Sequence, residues 1–249
     1  MVADHVQVLS LRFPLLTRKE ALARAHRLAA AGRASKIFTP NAEIACHAAK
    51  SPAFSDILNG ADMLLPDGIG ISLAARRQGV DLPRLPGIDF AEALLSTAPA
   101  RGYRLFLLGA RPGVAVAAGK ALARRYPRIT ICGAQDGYYP TEMGHAVAAA
   151  IRAARPDLLF VCLGSPRQEE WIATHHLPCL ALGLGGALDV WAGVRRRAPT
   201  VVQRMGLEWL WRTLGDPARL SRLPSLASFS LRVLTAARAD EAENCKKRV

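Results

Sequence analysis

The feature that most constrains the fold is a regular alternation of short apolar segments with helix-forming segments. The apolar segments are Arg104 to Leu108, Ile129 to Cys132, Asp157 to Leu163 and Cys179 to Leu184. Helices are predicted between them, over 112–126 and 141–154. Strands that alternate with helices of this length form a parallel sheet covered on both faces. The sequence therefore predicts an α/β fold, a Rossmann-like parallel sheet with helices on both faces.

The first hundred residues extend the same pattern. Val6 to Leu11 is predicted to be a first strand, and Ser35 to Phe38 is predicted to be the next. Between them, Thr17 and Glu20 have the spacing of a capping box, which predicts a helix from there to about Ala31. Further helices are expected from the turn after Phe38 toward Lys50 and from about Pro52 to Asn59.

The C-terminal fifth of the chain differs from the rest in charge and pattern. The 249 residues carry a formal charge of +13, and 195–249 contain twelve Lys and Arg against five Asp and Glu, or +7 of that excess. Only helices are expected there, so we divide the chain into a Rossmann-like domain, 1–194, and a basic helical appendage, 195–249. Apolar residues at helical spacing form a seam on one predicted appendage helix, at Leu220, Leu223, Ala227, Leu231 and Leu234. That seam fits either packing on the main domain or contact with a membrane.

The positive charge of the appendage predicts an acidic partner, which is a diphosphate, an anionic membrane surface or nucleic acid. Nucleic acid is disfavoured, because aromatic residues make up only 6% of the chain and no basic run is interleaved with them. The five cysteines are odd in number and widely spaced, which favours buried thiols in a reducing compartment. We see neither a signal peptide nor an apolar run of about 20 residues, so the expected location is cytoplasmic.

Met63 to Gly70 carries the most informative polar residue. A short apolar run ends in Pro66, Asp67 and Gly68 and passes directly into a predicted helix. This is how a parallel strand presents a side chain at its carboxyl end, where ligands bind in open α/β sheets. A helix N-terminus at that place favours anionic groups such as phosphates. Asp67 is thus either a helix cap or a catalytic carboxylate, and this stretch alone does not decide between them.

Other loops at predicted strand ends carry polar groups that a core does not need. In a doubly wound sheet they meet at one rim, which predicts a cleft with one candidate base, amides and hydroxyls for a sugar, and glycine backbone for phosphates. Taken singly, each side chain also fits a cap or a surface position. The residues predicted to bind substrate are Thr39, Asn41, Arg84, Gly109, Gly164, Gln168, Gly186 and Asp189.

Two other kinds of site are disfavoured. The turn from Gly109 to Gly113 resembles a nucleotide-binding turn, but the acidic residue expected about twenty positions later for a ribose is not clear, which argues against a nicotinamide oxidoreductase. No His-x-x-x-His or Asp-x-Asp spacing offers a metal site, and His175 and His176 fit a helix end better than a ligand pair. We therefore expect neither a metal nor a cofactor.

Together these residues resemble the WecG/TagA/CpsF family of bacterial glycosyltransferases. The resemblance spans almost the whole chain in the family's order. Its motifs are Thr39-x-Asn41-x-Glu43, Pro66-Asp67-Gly68-x-Gly70, Arg84-x-x-Gly87-x-Asp89, Leu163 to Glu169 with Trp171, Gly185-Gly186-x-x-Asp189-x-x-Ala192-Gly193, Arg197-Ala198-Pro199, and Gly206 to Leu210 followed by Arg212, Pro217, Arg219 and Arg222. Pro83 and Leu188 stand where the family usually has Glu and an aromatic residue, and both departures could alter the sugar preference.

The resemblance implies an inverting, metal-independent enzyme that moves a sugar from a UDP-sugar, typically UDP-N-acetylmannosamine, to a polyprenyl-diphosphate-linked sugar in cell-surface polysaccharide synthesis. Asp67 would be the general base, and the arginines that bind diphosphate would be Arg197, Arg212, Arg219 and Arg222. Inversion needs one base opposite the leaving group, and the departing UDP needs positive charge nearby. The appendage would close the site and hold the enzyme on the anionic inner face of the cell membrane.

Two alternatives stay open at this stage. In one, the same fold transfers another hexose, such as glucose, in exopolysaccharide assembly. In the other, from a different class, the chain is a non-catalytic module that binds a nucleotide sugar or a polyanion. Release of UDP in the presence of a lipid-linked acceptor distinguishes an enzyme from a binding module. The donor sugar, the acceptor sugar and the oligomeric state do not follow from the sequence.

Overall fold

The computed structural model describes residues 4–205 together with Glu208, Leu210, Trp211 and Phe229. The strands are β1 (His5–Val8), β2 (Leu11–Pro14), β3 (Ser35–Phe38), β4 (Met63–Leu64), β5 (Arg104–Gly109), β6 (Thr130–Gln135), β7 (Leu158–Cys162) and β8 (Leu180–Gly183). The helices are α1 (Arg18–Ala30), α2 (Ala42–Ala48), α3 (Pro52–Asn59), α4 (Ile69–Arg76), α5 (Gly87–Thr97), α6 (Val114–Arg125), α7 (Gly144–Ala154), α8 (Arg167–His175), α9 (Ala187–Trp191) and α10 (Thr200–Arg204).

Six of the strands form one sheet in the order β4-β3-β8-β7-β5-β6, and every neighbouring pair is parallel. All five residues of β7 are buried, as expected for a strand covered on both sides. Successive side chains go to opposite faces: Phe160 joins the core beneath α1, α5, α6 and α9, whereas Val161 joins the core beneath α2, α3, α7 and α8. This confirms the predicted α/β fold with a parallel sheet flanked by helices.

The N-terminal segment corrects one prediction. Val6 to Leu11 is not one strand: β1 and β2 pair antiparallel in a separate two-stranded sheet. The chain reverses at Leu9, which has a φ of 54°, in the left-handed region. The two short strands place Val6, Val8, Leu11 and Phe13 in the core on the α4 side of the sheet, so the reversal buries four apolar side chains on one face.

Several helices begin where the sequence indicates. Thr17 accepts from the Glu20 N–H, and the Glu20 carboxylate accepts from the Thr17 N–H at 2.8 Å, which completes the capping box of α1. Asn41 caps α2 and Ser51 caps α3, each through one hydrogen bond that its side-chain oxygen accepts from a backbone N–H of the first turn. These caps fix where the helices beside the sheet start.

The start of the appendage lies against the main domain. Within 195–249 the structure describes α10, and it describes Phe229, which is buried in the core on the α2 and α4 side. A Cβ added to Gly70, in the first turn of α4, would lie 3.3 Å from the Phe229 ring. The predicted seam of leucines falls outside the described residues. Within the described part of the chain, every helix is too short or too polar to cross a bilayer.

Candidate active site

A cleft of about 1110 Å³ opens at the carboxyl ends of the parallel strands. Loops after β3, β4, β5, β7 and β8 contribute to its walls, so it occupies the position at which open α/β sheets bind ligands. Seven of the predicted site residues line it: Thr39, Asn41, Asp67, Gly164, Gln168, Gly186 and Asp189. The rim predicted from the strand ends thus exists as a single site.

Asp67 is not the cap of the helix that follows it. The N-cap of α4 is Gly68, with a φ of 87°, and this N-cap residue makes no side-chain cap hydrogen bond. The Asp67 N–H donates to the Pro40 carbonyl at 3.2 Å, which holds the loop after β4 against the loop after β3. A Cβ on Gly68 would lie 3.9 Å from that of Asn41. A half-buried carboxylate on the wall of the cleft is the arrangement that a general base requires.

Thr39 and Asn41 have structural contacts beside their place in the cleft. The Thr39 hydroxyl donates to the Gly183 carbonyl at 3.0 Å and so connects the ends of β3 and β8. The Asn41 side-chain oxygen accepts from the Ile44 N–H at 3.0 Å. In each case one group is engaged within the protein, and the Asn41 amide still has two N–H donors for a ligand. Both residues therefore serve the loop geometry as well as the cleft.

Gln168 and Glu169 form a buried polar pair beneath the cleft. The Gln168 amide oxygen accepts from the Gly185 N–H at 2.9 Å, and its nitrogen donates to a Glu169 carboxyl oxygen at 2.8 Å. Glu169 is 1% exposed, and its other carboxyl oxygen has no hydrogen-bond partner in the described part of the chain. Burial raises the pKa of Glu169 to about 7, although hydrogen bonds from Gln168, from its own backbone and from Ser165 lower it. The pair fixes the loop after β8 relative to the start of α8.

The raised pKa of Glu169 predicts a pH-dependent effect on stability. The folded protein keeps a proton on Glu169 up to about pH 7, whereas the unfolded chain loses it near 4.5, so ionisation lowers the free energy of unfolding as the pH rises between these values. Glu169→Gln removes that ionisation and keeps an oxygen that can accept from Gln168. Relative to the wild type, the variant should gain about 2–3 kcal/mol between about pH 5 and about pH 8.

Urea denaturation of both proteins at the two pH values measures this difference. Glu170→Gln is the matched control, because Glu170 is exposed on the same helix turn and its charge makes only the smallest contribution to the raised pKa of Glu169, so it should give a much smaller change. A difference in unfolding free energy that stays constant with pH would show that Glu169 is already ionised in the folded protein near neutral pH.

The glycines of the rim differ in what they do. Gly109 lies outside the cleft lining: a Cβ there would overlap the Cys162 carbonyl group, so the close approach of β5 and β7 requires glycine. Gly164, with a φ of 79°, has open space where a Cβ would be. Gly186 is the N-cap of α9, and Asp189 in the first turn of that helix lines the cleft. Gly164 and Gly186 can thus bring backbone close to a ligand.

Two predicted ligand arginines lie outside the cleft lining. Arg84 donates to the Gln203 carbonyl in α10 at 2.8 Å. Arg197 forms ion pairs with Asp89 in α5 and with Glu208, the second at 3.3 Å. Burial lowers the pKa of the Arg197 guanidinium, but the carboxylates of Asp89 and Glu208 outweigh it and the pKa is raised. The other predicted diphosphate ligands, Arg212, Arg219 and Arg222, lie outside the described residues.

The cleft also contains cationic residues that the sequence analysis did not select. Arg111, Arg167, Arg195, His47 and Lys50 line it. Arg167 donates to the Gly137 carbonyl at 3.0 Å and lies over the Tyr139 ring, 5.3 Å from its centre. Arg111 lies in the loop that follows β5, and this position after a strand end is the sequence signal from which it could have been predicted. Against these three arginines and one lysine the lining also contains the carboxylates of Glu43, Asp67 and Asp189, so it carries one net positive charge. Its cationic side chains suit phosphates.

Leu188, one of the two departures from the family pattern, does not face the cleft. Its side chain is fully buried in the core beneath α1 and α5. Pro83 is exposed on the loop before Arg84 and is likewise not part of the lining. An influence of either residue on sugar preference would have to be indirect.

Comparisons with known proteins agree with this geometry. A sequence model described as the glycosyl transferase WecG/TagA/CpsF family matches residues 6–243. An N-acetylglucosaminyldiphosphoundecaprenol N-acetyl-beta-D-mannosaminyltransferase from Staphylococcus aureus strain MW2 is 36% identical over 206 residues, covering 81% of this chain and 80% of the relative. Proteins of the same name from strains NCTC 8325 / PS 47 and COL have the same identity and coverage. The match covers nearly the whole chain, so the protein belongs to the WecG/TagA/CpsF family of glycosyl transferases.

Proposed function

We propose that this glycosyltransferase moves N-acetylmannosamine, or a closely similar sugar, from a UDP-sugar to a polyprenyl-diphosphate-linked N-acetylglucosamine. The acceptor and the sugar follow the names of the Staphylococcus aureus relatives. One observation carries the proposal: Asp67 stands on the wall of a large cleft at the carboxyl ends of the parallel strands, and the N-cap of the helix after its loop is Gly68. We place donor and acceptor in that cleft.

The reaction is a single displacement. Asp67 takes the proton of the acceptor hydroxyl while the hydroxyl oxygen attacks the anomeric carbon. The bond from that carbon to the UDP oxygen breaks, and UDP leaves with the electron pair. The configuration is inverted, because the new bond forms opposite the old one. One carboxylate is sufficient for this chemistry, whereas retention through a covalent intermediate would require a second one as nucleophile.

The negative charge on the departing UDP must be offset. Arg111, Arg195 and Lys50 line the cleft and can face phosphate oxygens. The N-terminus of α8, at Arg167 and Gln168, also lies at the cleft, where the helix dipole favours negative charge. Thr39, Asn41 and Asp189 provide hydrogen-bonding groups for the sugar and the ribose. We propose that these cationic side chains and the N-terminus of α8 offset the charge of the departing UDP without a metal ion.

Contact with the membrane is proposed for the start of the appendage. Five large apolar side chains are exposed between residues 194 and 211, at Val194, Val201, Met205, Leu210 and Trp211. Arg195 and Arg196 are exposed among them. Apolar side chains rimmed by arginines suit the headgroup region of an anionic bilayer, where a polyprenyl-linked acceptor lies. We therefore propose peripheral attachment to the cytoplasmic face of the cell membrane.

Acceptor-dependent release of UDP tests this function. The purified protein is given a panel of UDP-sugars, with and without a short-chain polyprenyl-diphosphate N-acetylglucosamine, and with and without EDTA. We expect release to be fastest with UDP-N-acetylmannosamine, to require the acceptor and to be unaffected by EDTA. Faster release from another UDP-hexose would show that this hexose, and not N-acetylmannosamine, is the donor sugar. Loss of release in EDTA would refute metal independence. Binding of UDP-sugar without release would favour a non-catalytic module.

A further inference from the structure

The first part of the appendage is attached to the main domain by two arginines that the sequence predicted to be ligands. Arg197 lies between a carboxylate of the main domain, Asp89 in α5, and a carboxylate further along the appendage, Glu208. Arg84, in the loop before α5, donates to the carbonyl of Gln203 at 2.8 Å. Gln203 in turn donates from its side chain to the Ala198 carbonyl at 2.6 Å, which closes the segment on itself. Both arginines therefore connect α5 and its preceding loop to residues 197–208.

The Arg197 guanidinium leaves little for a substrate. One terminal nitrogen pairs with Asp89 and the Nε donates to Glu208, while the second terminal nitrogen is buried and has no hydrogen-bond partner in the described part of the chain. The side chains of Arg197 and Glu208 are only 19% and 11% exposed. When one side chain of such a partly buried ion pair is removed, the other keeps its charge without a partner and is poorly solvated. A phosphate could reach this guanidinium only after the two ion pairs had opened.

We propose that Arg197 and Arg84 are positioning residues that hold the base of the appendage on α5, and that Glu208 is the appendage side of this attachment. Glu208 precedes Arg212, Arg219 and Arg222 by four, eleven and fourteen positions. The attachment thus fixes the point from which the segment with these three arginines continues. Its effect on transfer acts through that segment and not through contact with the diphosphate. The part that concerns transfer rests on the proposed function, whereas the attachment itself does not.

Limited trypsin digestion of the full-length protein tests the attachment independently of activity. The variants are Arg197→Ala, Arg84→Ala and Glu208→Ala, with Arg196→Ala as the matched control, since Arg196 is the exposed neighbour with the same charge. Mass spectrometry identifies cleavage after Arg204, at the end of α10 in the attached segment. We expect each of the three variants to be cleaved there about tenfold faster than the wild type, because digestion follows the population of the opened state. Arg196→Ala should match the wild type.

Kinetics then separate positioning from direct binding. We expect Arg197→Ala and Glu208→Ala to lower kcat by about tenfold with little change in the KM for the donor. Glu208→Ala leaves Arg197 paired with Asp89. This variant therefore still tests the attachment if Arg197→Ala does not fold. If Arg197 were a diphosphate ligand, Glu208→Ala would leave transfer unchanged or faster while Arg197→Ala reduced it. That result, or unchanged tryptic cleavage in Arg197→Ala and Glu208→Ala, overturns the proposal. Absence of transfer in every protein, with the digestion pattern as expected, counts against the proposed function alone.

Discussion

Asp67→Asn is expected to reduce the rate of sugar transfer by about 10²–10⁴-fold, the usual effect of removing a positioned base. The amide has nearly the same shape as the carboxylate but cannot take the proton of the acceptor hydroxyl. Because Gly68 is the N-cap of α4, the change should not weaken that helix. The dissociation constant for the UDP-sugar should stay within about threefold, since the proton is transferred only in the reaction.

Single-turnover kinetics and calorimetric titration with UDP-sugar measure the two quantities separately. Asp81→Asn is the matched control, because Asp81 follows the same helix and is 87% exposed in its side chain. A near-normal rate for Asp67→Asn would show that another group takes the proton. A large fall in melting temperature with normal turnover would instead assign Asp67 a structural role.

Removal of residues 212–249 is the second change with a large expected effect. It deletes Arg212, Arg219 and Arg222 but keeps Glu208, so the ion pairs of Arg197 remain. Loss of charged groups that stabilise a leaving group costs about 10²–10³-fold for one donor, so transfer should fall by at least about 10²-fold. The main domain should stay folded, because its two cores lie on either side of the parallel sheet and consist almost entirely of residues before 195.

The truncation also removes Phe229, whose ring contacts the first turn of α4 next to the Asp67 loop. Full burial of such a side chain contributes about 1.5–3 kcal/mol, so a moderate loss of stability is expected. The full-length Phe229→Ala variant is the control, since it removes the same contact and keeps the arginines. Unfolding of the truncated protein beyond that of Phe229→Ala, or transfer at the wild-type rate, would contradict the expected role of the segment. Sedimentation with anionic vesicles reports in parallel whether the deleted part contributes to membrane binding.

The fold followed from the sequence wherever local patterns decide structure. Strands such as β7 are nearly continuous runs of apolar residues, and α1 carries a complete capping box, so their bounds were predicted within one or two residues. The hairpin of β1 and β2 was missed for a physical reason. Its turn has Leu9 in the left-handed region, with neither glycine nor asparagine there to indicate a reversal.

The site was predictable as far as strand ends determine it. Asp67, Thr39 and Gln168 follow strands, and all three line the cleft. Arg84 and Arg197 were not predictable in their contacts, because their partners are 119 and 11 positions away and local sequence does not say where a long side chain points. The burial of Glu169, by contrast, could have been predicted from a signal in the sequence.

That signal is the periodicity of α8. Gln168, Glu169, Trp171 and Ile172 are all buried, which is the inward face of a helix at spacings of one, three and four residues. A glutamate on that face had to be buried with the tryptophan. Its raised pKa follows from that burial, and the hydrogen bond from Gln168 makes it part of the support of the cleft.

The anomeric configuration of the transferred sugar is the most direct test of a single displacement assisted by Asp67. The product is made from a UDP-sugar of known configuration and a short-chain polyprenyl-diphosphate N-acetylglucosamine, and its one-bond carbon–hydrogen coupling at C1 is measured by NMR. We expect a sugar whose configuration is opposite to that of the donor, formed by the wild type and almost absent with Asp67→Asn. A product with the donor's configuration would require a second nucleophile and would contradict the proposed chemistry.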